Sequence, residues 1–133
     1  MAKQFERARA AVADELELDE SVELLLFGTA GPGSLLRATL LTAFTRRSKR
    51  WRLYWVELTD RRVFVVGTNP LTGRPANVEW RAPRAAVQVD RYEPGGFRGK
   101  LFLRRVTDGY VLNLHFAHNQ RDAALAVKAA LGG

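Results

Sequence analysis

The sequence predicts a mainly β fold with a helix at each end, in which seven antiparallel strands form a small barrel or sandwich capped by the C-terminal helix. β-rich runs recur at close spacing between residues 22 and 116, and turn residues separate nearly all of them. The chain also closes on a segment with one apolar stripe, which two glycines stop. Since neighbouring runs can be joined without a long parallel crossover, an antiparallel arrangement is expected.

The length and composition of the chain favour one soluble domain. Its 133 residues are near the commonest domain size, and a hydrophobic content of 47% is ample for one core. No apolar run reaches the roughly 20 residues that a membrane span needs, and the chain does not open on a basic start followed by an apolar stretch. We therefore expect a cytoplasmic protein. The absence of cysteine excludes disulfides and cysteine-based metal sites.

The first 21 residues are predicted to form a helix and an acidic connection, with the main domain following over residues 22–133. Apolar residues fall at helical spacing at four positions: Phe5, Ala8, Val12 and Leu16. This pattern predicts an amphipathic helix over residues 3–13. Residues 14–21 are mostly acidic and are predicted to form a solvated connection.

Seven strands are predicted in the main domain, and turn chemistry marks two of their hairpins. The predicted strands cover residues 22–28, 51–59, 62–67, 76–81, 85–91, 99–106 and 110–116. A polar turn over residues 59–62 separates the second strand from the third, and Asp108-Gly109 predicts the hairpin before the last strand. Apolar and polar residues alternate in that last strand, so one of its faces is predicted to be buried. This face carries Tyr110, Leu112, Leu114 and Phe116.

The C-terminal helix is predicted over residues 119–131. Asn119 is its expected N-cap and Asp122 lies in its first turn, where an acidic side chain is favourable. Gly132 and Gly133 are predicted to end the helix.

The connection after the first strand is the ambiguous part of the chain. Residues 28–34 are Gly-rich but lack the Gly-Lys-Ser/Thr ending that a phosphate-binding P-loop requires, so a loop is expected. Residues 35–44 are mostly apolar and form either a short helix capped by Ser34 or a buried strand. Their polar residues do not gather on one narrow face, which favours packing against the core over a membrane-surface helix.

Charge is distributed unevenly along the chain. Residues 1–25 hold three basic and seven acidic side chains, which leaves eighteen against seven, or +11, in residues 26–133. Such an excess attracts nucleic acid, anionic lipid headgroups or an acidic partner without selecting among them. Seventeen of the 21 basic residues are Arg, so the alternative is that part of the excess reflects composition and has no function.

The run Leu58-Thr59-Asp60-Arg61-Arg62 followed by four apolar residues resembles a hairpin of bacterial pleckstrin-homology-like (PH-like) and GRAM-like domains. Together with the order of seven strands and a helix, it makes the chain similar to this family over residues 22–131. The resemblance implies a bent barrel closed at one end by the C-terminal helix, and a non-enzymatic binding module without a cofactor. Residues 29–50 are longer than the usual loop at this place, which implies an inserted element.

The densest positive charge of the chain follows this connection. Five cationic side chains lie within seven residues: Arg46, Arg47, Lys49, Arg50 and Arg52. The resemblance to PH domains implies that Arg50 and Arg52 form a headgroup-binding pair with Arg37 upstream, although no Lys stands in the upstream position. Even without a pocket, each cation near an anionic surface contributes on the order of 1 kcal/mol, which predicts weak, salt-sensitive peripheral membrane binding. Trp51 is expected in the core.

Two other kinds of partner stay open. Arginines near Trp51, Tyr54 and Trp55 suit a single-stranded nucleic acid that stacks on aromatic rings, although half of these rings should face the core. A protein partner needs no polyanion, and an acidic peptide could dock between the C-terminal helix and the neighbouring sheet edge. Residues 14–23 could themselves cover the basic patch, either within the chain or across a homodimer.

The sequence gives no catalytic or metal-binding constellation. His115 and His118 lie near Asn119 at a strand end, but no nucleophile oriented by a base is evident, and His115 is expected to be exposed. The acidic residues are not spaced as a set of metal ligands. We therefore predict that the protein is not an enzyme.

Overall fold

A computed structural model of the chain describes residues 2–30, 52–69, 71–72 and 74–132. It confirms the predicted mainly β architecture, with seven antiparallel strands and a helix at each end. The helices are α1 (Ala2–Ala13) and α2 (Arg121–Ala130). The strands are β1 (Val22–Ala30), β2 (Arg52–Thr59), β3 (Arg62–Thr68), β4 (Pro75–Pro83), β5 (Val87–Glu93), β6 (Arg98–Arg105) and β7 (Tyr110–Ala117).

All seven strands belong to one open sheet in the order β4-β3-β2-β1-β7-β6-β5. β1 pairs with β2 along nearly its whole length but meets β7 only at Thr29 and Ala30, which lie opposite His115 and Leu114. The sheet therefore has two halves that are joined by a short ladder between β1 and β7. Within each half, strands that are neighbours in the sheet also follow one another in the sequence.

The two halves of the sheet share one hydrophobic core. Buried side chains from β1 to β4 pack in the same cluster as buried side chains from β5 to β7, so the halves face each other. Leu112, Leu114 and Phe116 of β7 are buried there and Tyr110 is partly buried, which confirms the predicted inner face of this strand. Arg105 at the end of β6 reaches across to β4, with its guanidinium 5.3 Å from the Trp80 ring.

The two predicted hairpin turns are present and have local causes. Leu58 lies opposite Val63, and the Thr59 hydroxyl accepts hydrogen bonds from the backbone N–H groups of Arg61 and Arg62 at 3.0 and 2.8 Å. Gly109 has a φ of 71° in the turn between β6 and β7, a conformation that favours glycine.

α2 covers one end of the core, where Ala124 and Val127 are buried. Asn119 is not its N-cap, as the sequence predicts, because residues His118–Gln120 form a 3₁₀ turn and Gln120 occupies the cap position. The Gln120 side chain makes no capping bond and instead accepts a hydrogen bond from the Phe27 N–H of β1 at 3.1 Å. Gly132, with a φ of 71°, follows the helix as predicted.

α1 packs on the outer face of the sheet, over β3 and β4, and forms a second hydrophobic cluster. Ala8 and Val12 are fully buried against Trp55, Phe64 and Val66. This packing buries both faces of β2 and β3, whose side chains are nearly all inaccessible to solvent. The acidic connection leads from this helix to β1.

The strand bounds lie within two residues of the predicted ones, and two of the shifts affect the connections between strands. β5 begins at Val87, two residues later than predicted, because Arg84–Ala86 form a 3₁₀ turn after Pro83. β1 continues to Ala30, which includes the first two residues of the connection predicted after it. The question of helix or strand for residues 35–44 lies outside the described residues, as does the inserted element beyond Ala30.

Candidate functional site

Five of the six basic residues predicted to bind anions belong to a stretch that enters and leaves the sheet at one place. Ala30 at the end of β1 lies opposite Arg52 at the start of β2, so residues 31–51, here called the basic stretch, connect neighbouring strand ends. The connection between β3 and β4 emerges at this same end, since Gly67 lies opposite Tyr54. Arg52 is described by the structure. The other predicted site residues, Arg37, Arg46, Arg47, Lys49 and Arg50, lie outside the described residues.

Arg52 is already engaged with neighbouring side chains. Its guanidinium lies 3.1 Å from a carboxylate oxygen of Glu79 and 5.5 Å from the centre of the Tyr54 ring. The Arg52 side chain nevertheless remains 41% exposed. An anion at this position would therefore compete with Glu79 for the same guanidinium.

Most of the net charge of the protein lies in the basic stretch. It contains five basic side chains and no acidic one, whereas the rest of the chain holds 16 basic and 14 acidic side chains, a net charge of +2. Of the formal net charge of +7, +5 thus belongs to the segment joined to β1 and β2. The remainder of the molecule is close to electrically balanced.

The acidic connection after α1 supplies much of this balance through a set of ion pairs that we call the acidic clasp. The clasp consists of Glu15, Glu17, Asp19, Glu20 and Glu23 together with Arg61, Arg62, Arg81 and Arg84. Arg61 contacts Glu17 and Asp19, each at 2.6 Å, and Arg81 contacts Glu15 at 2.5 Å. The clasp lies by the turn between β2 and β3, at the opposite end of β2 from Arg52.

Glu20 is the buried centre of the clasp, contrary to the expectation that residues 14–21 are solvated. It is only 6% exposed, pairs with Arg62 and accepts a hydrogen bond from the Thr59 hydroxyl at 2.5 Å. The Arg62 hydrogen bond, with further bonds from Thr59 and the Glu17 N–H, lowers the pKa of Glu20 to about 2 despite its burial. The acidic connection is thus anchored on the hairpin between β2 and β3.

Glu57 is a second buried carboxylate, and it has no hydrogen-bond partner among the described residues. It lies in the middle of β2 on the face that carries Trp55, beneath α1. Its exposed fraction is 0%, and neither of its carboxylate oxygens is hydrogen-bonded. Burial raises the pKa of Glu57 to about 8, and the positive charge of Arg9 opposes this rise. The sequence gives no sign of this buried carboxylate, since an acidic residue between apolar ones normally marks an exposed strand face.

The aromatic residues considered as nucleic-acid stacking platforms are buried. Tyr54 is 5% exposed in the main core, and Trp55 is 3% exposed under α1. Neither ring therefore offers a free face on which a base could stack. Trp51 lies outside the described residues.

The two histidines differ in their surroundings. His118 is exposed, whereas His115 is half-buried, so the prediction of an exposed His115 is wrong. Burial lowers the pKa of His115, and the charges of Lys100 and Arg98 lower it further. Among the described residues, no group of three or more His, Asp or Glu side chains could hold a metal ion.

Comparison with family models, with curated proteins and with solved structures finds no match to this chain. Neither helix in the described part of the chain is long and apolar enough to cross a membrane.

Proposed function

We propose that the protein is a non-enzymatic binding module of the PH-like class that attaches to anionic membrane surfaces through the basic stretch. The concentration of net charge carries this proposal: +5 of the +7 lies in a segment without acidic residues, while the described arginines are largely paired with carboxylates of the same chain.

The strand order supports the assignment to the PH-like class. β1 is shared between two halves of the sheet, and the C-terminal helix contacts β1 and β7 beside their junction. This arrangement fits the bent barrel with a C-terminal cap that the resemblance of residues 58–66 implies. The basic stretch occupies the connection between the first two strands, where the resemblance places the anion-binding residues.

The expected affinity is modest. At about 1 kcal/mol for each cation near an anionic surface, five cations contribute at most about 5 kcal/mol, which corresponds to a dissociation constant on the order of 0.1 mM. Arg52 adds less than a free cation, because it would have to leave Glu79. Since the attraction is between exposed charges, salt should weaken it strongly.

Vesicle flotation tests the proposal. The wild-type protein should float with phosphatidylcholine vesicles that contain phosphatidylserine and should stay at the bottom of the gradient with pure phosphatidylcholine vesicles. Raising the salt from about 0.05 M to about 0.5 M should release it. The proposal is wrong if the protein does not float with either vesicle at the lower salt concentration.

The acidic clasp favours docking of an acidic protein segment as a second candidate function. The clasp arginines already bind carboxylates of residues 15–23; they are Arg61, Arg62, Arg81 and Arg84. This surface can therefore bind an acidic peptide segment. A variant with Glu15, Glu17 and Glu23 changed to Gln and Asp19 to Asn would vacate most of this surface. Fluorescence anisotropy should then show binding of a labelled peptide of residues 14–23 to the variant and little binding to the wild type. Equal, weak binding to both proteins would remove this candidate.

A further inference from the structure

A pocket opens where β1 parts from β7. The ladder between these strands stops at Thr29 and His115, and β7 then turns into the 3₁₀ segment His118–Gln120. The pocket has a volume of about 230 Å³, which equals the liquid volume of roughly eight water molecules. A cavity of this size suits a small organic molecule with one or two rings.

One wall of the pocket is aromatic. Phe5 of α1, Phe27 of β1 and Trp55 of β2 line it. The Phe27 and Trp55 ring centres are 4.8 Å apart, and Phe5 meets Trp55 edge-on at 5.4 Å. Phe5 and Phe27 are partly buried and offer ring surface to a flat apolar ligand, and the buried Trp55 packs against both of them.

The lining also has a polar part, which includes a cation. It is formed by Thr29, Arg98, His115 and Asn119, with Gln4 and Gln120 beside them. Gln120 is already bonded to the Phe27 N–H, so its carboxamide oxygen helps to hold the wall in place. β1 and β7 approach each other closely beside the pocket. A Cβ on Gly28 would lie 2.5 Å from the His115 carbonyl oxygen, so this approach requires glycine.

Arg98 is the charged group of this lining. It is exposed at the start of β6, opposite Ala117 of β7, and it forms no ion pair with another described residue. Burial and the neighbouring cations Lys100 and Arg98 lower the pKa of His115 while Glu93 opposes them, which favours the neutral imidazole. The polar wall therefore carries one positive charge near a neutral imidazole and amide groups.

We propose that this pocket binds a small aromatic carboxylate, with its ring against Phe5 and Phe27 and its carboxylate on Arg98. A guanidinium binds a carboxylate through two parallel hydrogen bonds, and Thr29 and Asn119 lie in the same lining to supply further polar contacts. None of the pocket's described lining residues belongs to the basic stretch. It would give the binding module a small-molecule ligand and would join α1 to β1 and β7 through that ligand.

A titration with 2-naphthoate tests the proposal, with 2-naphthamide as an uncharged analogue of nearly the same shape. Backbone and indole N–H resonances of the labelled wild-type protein would be followed by NMR. We expect 2-naphthoate to shift the resonances of Thr29, Asn119 and the Trp55 indole saturably, and to bind at least fivefold more tightly than 2-naphthamide.

Two pocket variants and one control variant test whether the probes bind in this pocket and contact Arg98. Arg98→Gln should weaken 2-naphthoate binding about tenfold and leave 2-naphthamide binding unchanged, whereas Ala117→Trp should block both probes by filling the pocket from an exposed position. Arg74→Gln removes an exposed arginine outside the pocket and should bind like the wild type. The proposal is overturned if no saturable shifts occur, if they map outside the pocket, or if Arg98→Gln binds 2-naphthoate as tightly as the wild type.

Discussion

Among single residues, Glu57 has an unfavourable environment for a carboxylate. Its carboxylate is fully buried under α1 without a hydrogen-bond partner, and a buried polar group in this state costs about 1–3 kcal/mol even when neutral. Its pKa of about 8 in the folded protein lies above that of an unfolded chain. The folded state therefore binds the extra proton. The stability linked to Glu57 is complete at low pH and is lost progressively as the pH rises from about 4.5 to 8.

Glu57→Gln removes this titration. The variant should gain stability relative to the wild type as the pH rises, by about 2–4 kcal/mol between pH 5 and pH 9, because a neutral amide has no charge to bury. Urea unfolding at several pH values measures the difference. Glu6→Gln changes an exposed glutamate on α1 and serves as the control, for which no such divergence is expected. A pH-independent effect of Glu57→Gln would show that Glu57 is not buried as an uncharged group.

Glu20 has the opposite dependence on pH. Its pKa of about 2 lies below the unfolded value, so its stabilising effect is present above about pH 4.5 and is lost as the pH falls through 2. Glu20→Gln should cost about 1–3 kcal/mol at pH 7, and the cost should vanish near pH 2. Glu17→Gln, at a side chain that is 63% exposed, should change stability little. Equal effects of the two substitutions at pH 7 would contradict the role of Glu20 as the anchor of the clasp.

Among the elements, α1 depends on a narrow apolar stripe for its place on the sheet. Val12 is fully buried in the second hydrophobic cluster, between α1 and the sheet, whereas Ala10 on the same helix is exposed. Val12→Ala should destabilise the protein by about 1–3 kcal/mol and should speed hydrogen exchange of the α1 amides, while Ala10→Ser should do neither to a comparable extent. Unchanged exchange rates in Val12→Ala would mean that this side chain does not hold the helix on the sheet.

The elements also show which parts of the fold can be predicted from sequence. The β2–β3 and β6–β7 hairpins are predictable because their turns are determined locally, by the Thr59 hydroxyl in one and by Gly109 in the other. The docking of α1 on the sheet is not predictable from the sequence. Both faces of β2 are buried, but Glu57 interrupts the apolar pattern that would have indicated this burial. The N-cap of α2 moves to Gln120 because a 3₁₀ turn precedes the helix.

The candidate sites, like the elements, can be predicted only where they depend on residues that are neighbours in the sequence. The basic stretch is evident in the sequence as a run of cations, but the Glu79 partner of Arg52 lies 27 residues away and depends on the strand pairing. The arginines of the acidic clasp are similarly separated from their carboxylates, by 42 residues for Arg62 and Glu20. Their positions in the sequence give no indication of these pairs, which form only when α1 and its connection lie on the sheet.

For the molecule as a whole, basic and acidic residues are concentrated at opposite ends of β2. The basic stretch leaves from the end of β2 that begins with Arg52, and the acidic clasp lies at the other end of this strand. A protein with this polarity should approach an anionic surface with the basic stretch foremost and the clasp facing away. Binding should then depend on where a cation lies as well as on how many cations the protein has.

The most direct measurement of this claim compares two variants of equal charge in vesicle flotation. One variant changes Arg46, Arg47, Lys49 and Arg50 to Gln, and the other changes the exposed residues Lys3, Arg7, Arg74 and Arg91 to Gln. Each loses four positive charges from three arginines and one lysine. The first variant should bind phosphatidylserine-containing vesicles at least about tenfold more weakly than the wild type, while the second should stay within about threefold of it. An equal loss in both variants would contradict this claim, because net charge alone would then explain the binding.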